Sequence, residues 1–154
     1  MHERLEPHIA RLFARELAHS ACATLVVRSS SMKPFILPGS TLSVQRVPTQ
    51  EYGCGDIIVF LRDDELYVHR LIRRMIQDGR TAFLTKGDNA FAFDEPVPCG
   101  QVLGRAMSVQ NASGVVRFQT ALGRIIGRFA AVLSYLAAFA YGQLRTLKRF
   151  MMKP

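Results

Sequence analysis

The spacing of apolar positions changes twice along the chain. In the first twenty residues Leu5, Ile9, Leu12 or Phe13, and Leu17 recur every three or four positions, with Glu3, Arg4, Arg11, Arg15 and Glu16 between them. That period predicts an amphipathic helix over residues 1–20. It has no continuous apolar core, so it reads neither as a signal peptide nor as a membrane span. Packing on the rest of the chain is the expected fate of its apolar face; a membrane surface or a partner would also accept it. From 21 to 120 the texture becomes short β-type runs: 23–27, 41–47, 56–60, 66–72, 81–85, 101–109 and 115–118. Gly39, Gly53, Gly55, Asp78-Gly79, Gly87-Asp88-Asn89 and the stretch 111–114 break them. Runs of this length without intervening helices predict a small, mainly antiparallel β domain.

Residues 121–154 return to helical spacing. Ile125, Phe129, Val132, Leu133, Leu136, Phe139 and Leu144 make one bulky face, and Ala130, Ala131, Ala137 and Ala138 line much of the rest. No charge falls between Phe129 and Leu144. That uncharged stretch rises about 24 Å, less than the ~30 Å hydrocarbon core. Arg128 and Arg145 could snorkel to close the gap. A short span, a helix lying in the interface and a helix packed on a partner protein all fit.

Composition sharpens this picture. The 154 residues suit one compact domain, and the formal net charge is +8. Six of the twenty Lys and Arg follow residue 120, where none of the twelve acids lies. Charge gathered in a tail beside apolar residues points to an anionic membrane surface before a nucleic-acid groove. No nucleic-acid partner is expected. Cys22, Cys54 and Cys99 are odd in number and scattered, which excludes a disulfide framework and a zinc ribbon. They are expected to be free core thiols.

The chemistry-bearing residues gather in three places. Ser29-Ser30-Ser31-Met32-Lys33-Pro34 follows a β run, and by itself could be an ordinary serine-rich turn. His69 lies inside an apolar-rich run, unlike His2, His8 and His19, which sit on the charged N-terminal stretch. Asp88 and Asp94 fall in one loop after Thr85-Lys86-Gly87. A serine hydroxyl needs a base, and an imidazole base needs an orienting carboxylate, so the three places together outweigh their separate readings as turn or core residues.

These blocks, together with Gly55-Asp56-Ile57-Ile58-Val59-Phe60 and Val68-His69-Arg70, resemble signal peptidase I over residues 25–106. The likeness is to its archaeal and endoplasmic-reticulum branch, in which histidine replaces the lysine base. The resemblance implies a β domain of the type shared by signal peptidases and self-cleaving repressors. It implies Ser31 as nucleophile, His69 as base, Asp94 as the acid that orients it and Asp88 as a supporting acid. The Ser29 hydroxyl and the Ser31 backbone N–H would form the oxyanion hole. Ser30 replaces the family's usual glycine. Lys33 and Lys86 do not occupy the base position. No metal or organic cofactor is expected. The family's anchor is an N-terminal span, whereas here the apolar helix is C-terminal, so the side of the membrane that the site faces stays open.

The expected function is a membrane-associated serine endopeptidase that removes a signal or leader segment from a precursor protein or peptide. Residues 121–150 would meet lipid or a hydrophobic partner helix. A self-cleaving repressor-like module and a catalytically idle membrane-bound binding domain are the alternatives.

Overall fold

A computed structural model describes residues 7–151 of the chain. Helix α1 (Pro7–Ser20) carries the expected amphipathic face. Ala10, Phe13 and Leu17 are buried, three and four residues apart, while Leu12 is 57 % exposed, so Phe13 is the inward residue of that pair. Leu5 and its charged neighbours lie outside the described residues.

Eight strands follow: β1 (Cys22–Val26), β2 (Thr41–Gln45), β3 (Ile57–Arg62), β4 (Glu65–Gln77), β5 (Arg80–Lys86), β6 (Val97–Pro98), β7 (Val102–Asn111) and β8 (Gly114–Arg117). All pair antiparallel in one sheet, ordered β1-β2-β7-β3-β4-β5-β6, with β8 also on β7. The mainly antiparallel β fold with a helix at each end is thus as the apolar pattern implied. Two-residue turns with both residues at positive φ, Asp63-Asp64 and Asp78-Gly79, close the β3–β4 and β4–β5 hairpins. The second turn lies beyond the expected end of the run at 72, so β4 is five residues longer. A register shift between Leu71 and Arg73 bends that strand: its first half pairs with β3 and its second with β5. Strand β6 was not legible, because two residues, one of them a proline and preceded by another, show no alternation.

Two apolar clusters fill the fold. One joins Phe13 and Leu17 of α1 to Leu25, Met32, Ile36, Leu42, Val44, Ile57 and Val59. The other gathers Tyr52, Ile58, Phe60, Leu71, Phe83 and Val97 on the opposite side of β3. The cysteines are not in either as buried members: Cys22 and Cys54 are exposed and Cys99 is half-buried. Cys22 points outward on an edge strand whose alternate residues Ala23 and Leu25 take the core, and Cys54 sits in a surface turn.

Helix α2 (Ala121–Met151) meets the body with one narrow face. Its small residues, Gly127, Ala130, Ala131, Ser134 and Ala138, face the β body, while Phe129 stays 68 % and Leu133 65 % exposed. The inner side is therefore made of small residues, with Ala137 left outside. Backbone contact explains it. Gly55 has φ +94°, and a Cβ there would lie 2.6 Å from the Arg128 nitrogen; a Cβ on Gly127 would lie 2.9 Å from the Gly55 carbonyl oxygen. Only glycines let turn and helix approach so closely. By length and composition the stretch Ala121–Leu144, of mean hydropathy 1.5, could cross a membrane, a test that a core helix of a soluble protein also passes. Lys153 lies outside the described residues.

Candidate active site

Ser31 is held by a closed excursion of the chain. Val27 N–H donates to the Ser40 carbonyl at 2.9 Å and Gly39 N–H to the Val27 carbonyl at 2.7 Å, pinching 28–39 at its base. Met32 and Ile36 are fully buried, so the residue after Ser31 fastens the excursion to the core and leaves the serine half-buried beside it. The Ser31 and Ser29 hydroxyls lie 3.1 Å apart.

His69 occupies β4 opposite Ile58 of β3, its imidazole edge-on to Phe60 and Tyr67 at 6.0 and 5.9 Å between centroids. Its Nδ1 is 2.6 Å from Asp94 Oδ2. Against an ionised carboxylate Nδ1 carries the proton, which leaves the lone pair on Nε2. Asp94 is itself fixed twice to β5: its N–H donates to the Thr85 carbonyl at 2.9 Å, and the Thr85 hydroxyl donates to Oδ2 at 2.6 Å.

Gly87 is the point at which Ser31 and His69 meet. A Cβ there would fall 2.9 Å from the Ser31 carbonyl oxygen and 3.2 Å from both His69 Nε2 and Ser31 Cβ. Those two atoms are therefore separated by no more than twice that last distance. Any larger residue at 87 would wedge between them. No hydrogen bond joins Ser31 to His69; the serine hydroxyl is turned toward Ser29. Catalytic hydrogen bonds are often this loose without substrate. The loop is tied to the serine excursion by Asn89 N–H to the Ser31 carbonyl, at 2.8 Å.

The two acids of the loop part company. Asp94 meets the histidine, whereas Asp88 forms a two-pronged ion pair with Arg70, at 2.8 and 2.7 Å. Both side chains of that pair are almost wholly buried, 3 and 4 % exposed. Arg70 also donates to the Gly55 carbonyl at 2.9 Å, and so fixes the turn on which α2 rests.

Lys86 is 2 % exposed, and its ammonium donates to the Gly87 carbonyl and to Ser134 Oγ of α2, both at 3.2 Å. Burial pulls its pKa below the usual lysine value, against the raising fields of Asp88 and Asp94. It faces α2. Lys33 is exposed. Aromatic pairs continue the α2 contact: Phe93 against Tyr135 at 5.6 Å and Phe91 against Tyr141 at 5.5 Å, on either side of Ala92 and next to Asp94. The sequence reading did not single out Thr85, Arg70 or Ser134. Thr85 and Arg70 lie inside quoted blocks, so adjacency was the available signal. Ser134 had none, since only the tertiary fold brings it to Lys86. Among the described residues no group of three His, Cys, Asp or Glu gathers in metal-ligating range.

A bent antiparallel sheet with a helix at each end is the build of a domain in the S24/S26 peptidase-like superfamily. The Peptidase S24-like family model matches residues 5–95, which include Ser31, His69 and Asp94, and the chain belongs to that family. No curated protein matches the chain.

Proposed function

We propose that this protein is a serine endopeptidase of the histidine-based, signal peptidase I-like kind. The observation that carries the reading is the pairing of His69 Nδ1 with Asp94, which leaves Nε2 free at the Gly87 approach to Ser31. A turn of the Ser31 side chain away from Ser29 brings its hydroxyl toward that nitrogen. Ser31 Oγ then attacks the scissile carbonyl while Nε2 takes its proton, and Asp94 stabilises the imidazolium. The Ser31 N–H and the Ser29 hydroxyl would hold the oxyanion, each such donor contributing about 3 kcal/mol to the barrier reduction. The imidazolium returns the proton to the departing amine. Water, deprotonated by the same histidine, releases the acyl group. Asp88 serves the site indirectly, by locking Arg70 and the loop.

By resemblance, the substrate is the leader or signal segment of a precursor. Helix α2, with its bulky face outward and a basic tail, supports a site working at a membrane surface. Purified full-length protein and its Ser31→Ala variant, incubated with precursor peptides and read by mass spectrometry, test this. A unique cut made only by the unmodified protein is expected; no cut, or the same cut from both, overturns it.

The family match favours one second reading, a module that cuts itself once. Against it, the described chain upstream of Ser31 is occupied: α1 is packed into the core and β1 is paired along its length. Incubation alone decides between them. Self-cleavage would give a first-order, concentration-independent cut between α1 and Ser31.

A further inference from the structure

Where α2 leaves the β body, a cleft of about 340 Å³ opens between its first two turns and the turn Gly53–Asp56. Arg70, Arg105, Arg124 and Arg128 line it, with Glu51 and Asp56 as the only acids. Two of the arginines are engaged. Arg70 belongs to Asp88, and Arg105 reaches Asp56 at 3.4 Å and Glu51 at 3.9 Å. Arg124 and Arg128 are not: among the described residues neither guanidinium has an ion-pair or hydrogen-bond partner. They stand one turn apart on the same helix face, an arrangement of like charges that is unfavourable unless an anion joins them. Arg105 extends the positive lining, its guanidinium held in place by the Glu51 carbonyl and Asp56. The positive end of the α2 dipole, beginning at Ala121, points the same way.

We propose that this cleft is a phosphate site, and that its occupant is the head group of an anionic phospholipid. Guanidinium forks suit tetrahedral oxyanions better than they suit a single carboxylate oxygen. The choice of lipid over free phosphate comes from the same helix. Leu122, Ile125 and Phe129, beside the two arginines in sequence, are exposed and apolar, so acyl chains can lie along them while the phosphate enters the cleft. The proposal rests on the membrane-facing reading of α2 but not on catalysis, so Ser31→Ala is expected to bind lipid as the unmodified protein does.

The test keeps charge constant. Full-length protein and Arg124→Lys/Arg128→Lys are sedimented with vesicles of phosphatidylcholine alone and of phosphatidylcholine with phosphatidylglycerol. Equal melting temperatures and superimposable circular dichroism spectra establish that both are folded. The unmodified protein should prefer the phosphatidylglycerol vesicles, and the lysine pair should bind them about tenfold more weakly, because lysine keeps the charge and loses the fork. Glycerol 3-phosphate should displace the unmodified protein more than chloride of equal ionic strength does. Equal binding of both the vesicles and glycerol 3-phosphate by the two proteins would overturn the site, leaving only diffuse attraction by the basic tail. A lysine pair that loses glycerol 3-phosphate but keeps its vesicle binding would overturn the lipid assignment in favour of a soluble phosphate.

Discussion

The β body and α2 bury opposite kinds of residue. In the body the large side chains go in: Phe60, Phe83, Ile57, Ile58 and Leu42 are fully enclosed. Each such burial contributes about 1.5–3 kcal/mol. In α2 the small ones go in and the large ones stay out. An inward alanine contributes roughly the worth of one methyl, about 0.8 kcal/mol. The body is thus held by volume, and the helix by close backbone approach at Gly55 and Gly127 together with a few polar ties. A helix so weakly invested in its own domain, yet keeping its bulkiest residues outside, has its apolar face available to another apolar phase. It also touches the site, through Lys86, Phe93 and the Gly55 turn that Arg70 holds. The candidate site therefore sits between a half packed by large side chains and a half packed by small ones.

Several substitutions would break or sharpen that contrast. The largest effect should come from the half packed by large side chains. Ser31→Ala or His69→Ala should lower turnover by about 10⁴-fold or more with an unchanged melting temperature, and His69→Lys should not rescue it at neutral pH. An active His69→Ala protein would remove the histidine from the mechanism.

Next come the two loop acids, which should separate rate from stability. Asp94→Asn should cost about 10³–10⁴-fold in kcat by favouring the wrong tautomer, with little change in denaturation midpoint. Asp88→Asn should instead cost about 3 kcal/mol in urea unfolding, because it strands the buried Arg70 charge. The reverse pattern would exchange their roles.

At the junction, Gly55→Ala forces a Cβ into the α2 backbone, with strain of about 1–3 kcal/mol. Hydrogen exchange should then rise throughout α2 while β3, β4 and β7 keep their protection. Uniform loss of protection would show that helix and body are one cooperative unit. By contrast Phe129→Gln, on the outer face, should change unfolding free energy by less than about 0.5 kcal/mol.

The smallest effect concerns Lys86. Its folded pKa lies below its unfolded value, so between the two the unfolded chain binds more protons and stability rises with pH. The penalty for burying the ammonium is complete below the folded pKa and is relieved as pH climbs toward the ordinary lysine value. Unfolding measured from neutral to alkaline pH should therefore gain less in Lys86→Met than in the unmodified protein. Parallel curves would mean that the lysine is hydrated.

Much of the molecule was legible beforehand, for physical reasons that differ from place to place. The α1 face follows from its 3.6 period, and seven of the strands from short β-type runs bounded by turn residues, β3 being buried on both faces and so apolar throughout. His69 and the serine excursion stood out because polar groups interrupt runs that otherwise read as core. Strand β6 did not, being too short to carry a period. The thiols were misjudged because cysteine is often buried, while alternation on β1 gives the inside to Ala23 and Leu25.

What the sequence settled unaided was the set of elements, the order of the chemical residues and the concentration of positive charge after residue 120, all properties of neighbours along the chain. The resemblance had named Asp94 as the acid beside His69, but only the tertiary structure supplies the physical reason. Asp88 and Asp94 are six residues apart in one loop, and the direction of each side chain depends on Arg70 and Thr85, which arrive from β4 and β5. It likewise decided which side of α2 faced inward. Hydrophobicity favoured burying the bulky side, and what reversed the choice was a steric fact at a distance: Gly55 and Gly127 bring two backbones so close that only small side chains fit between them.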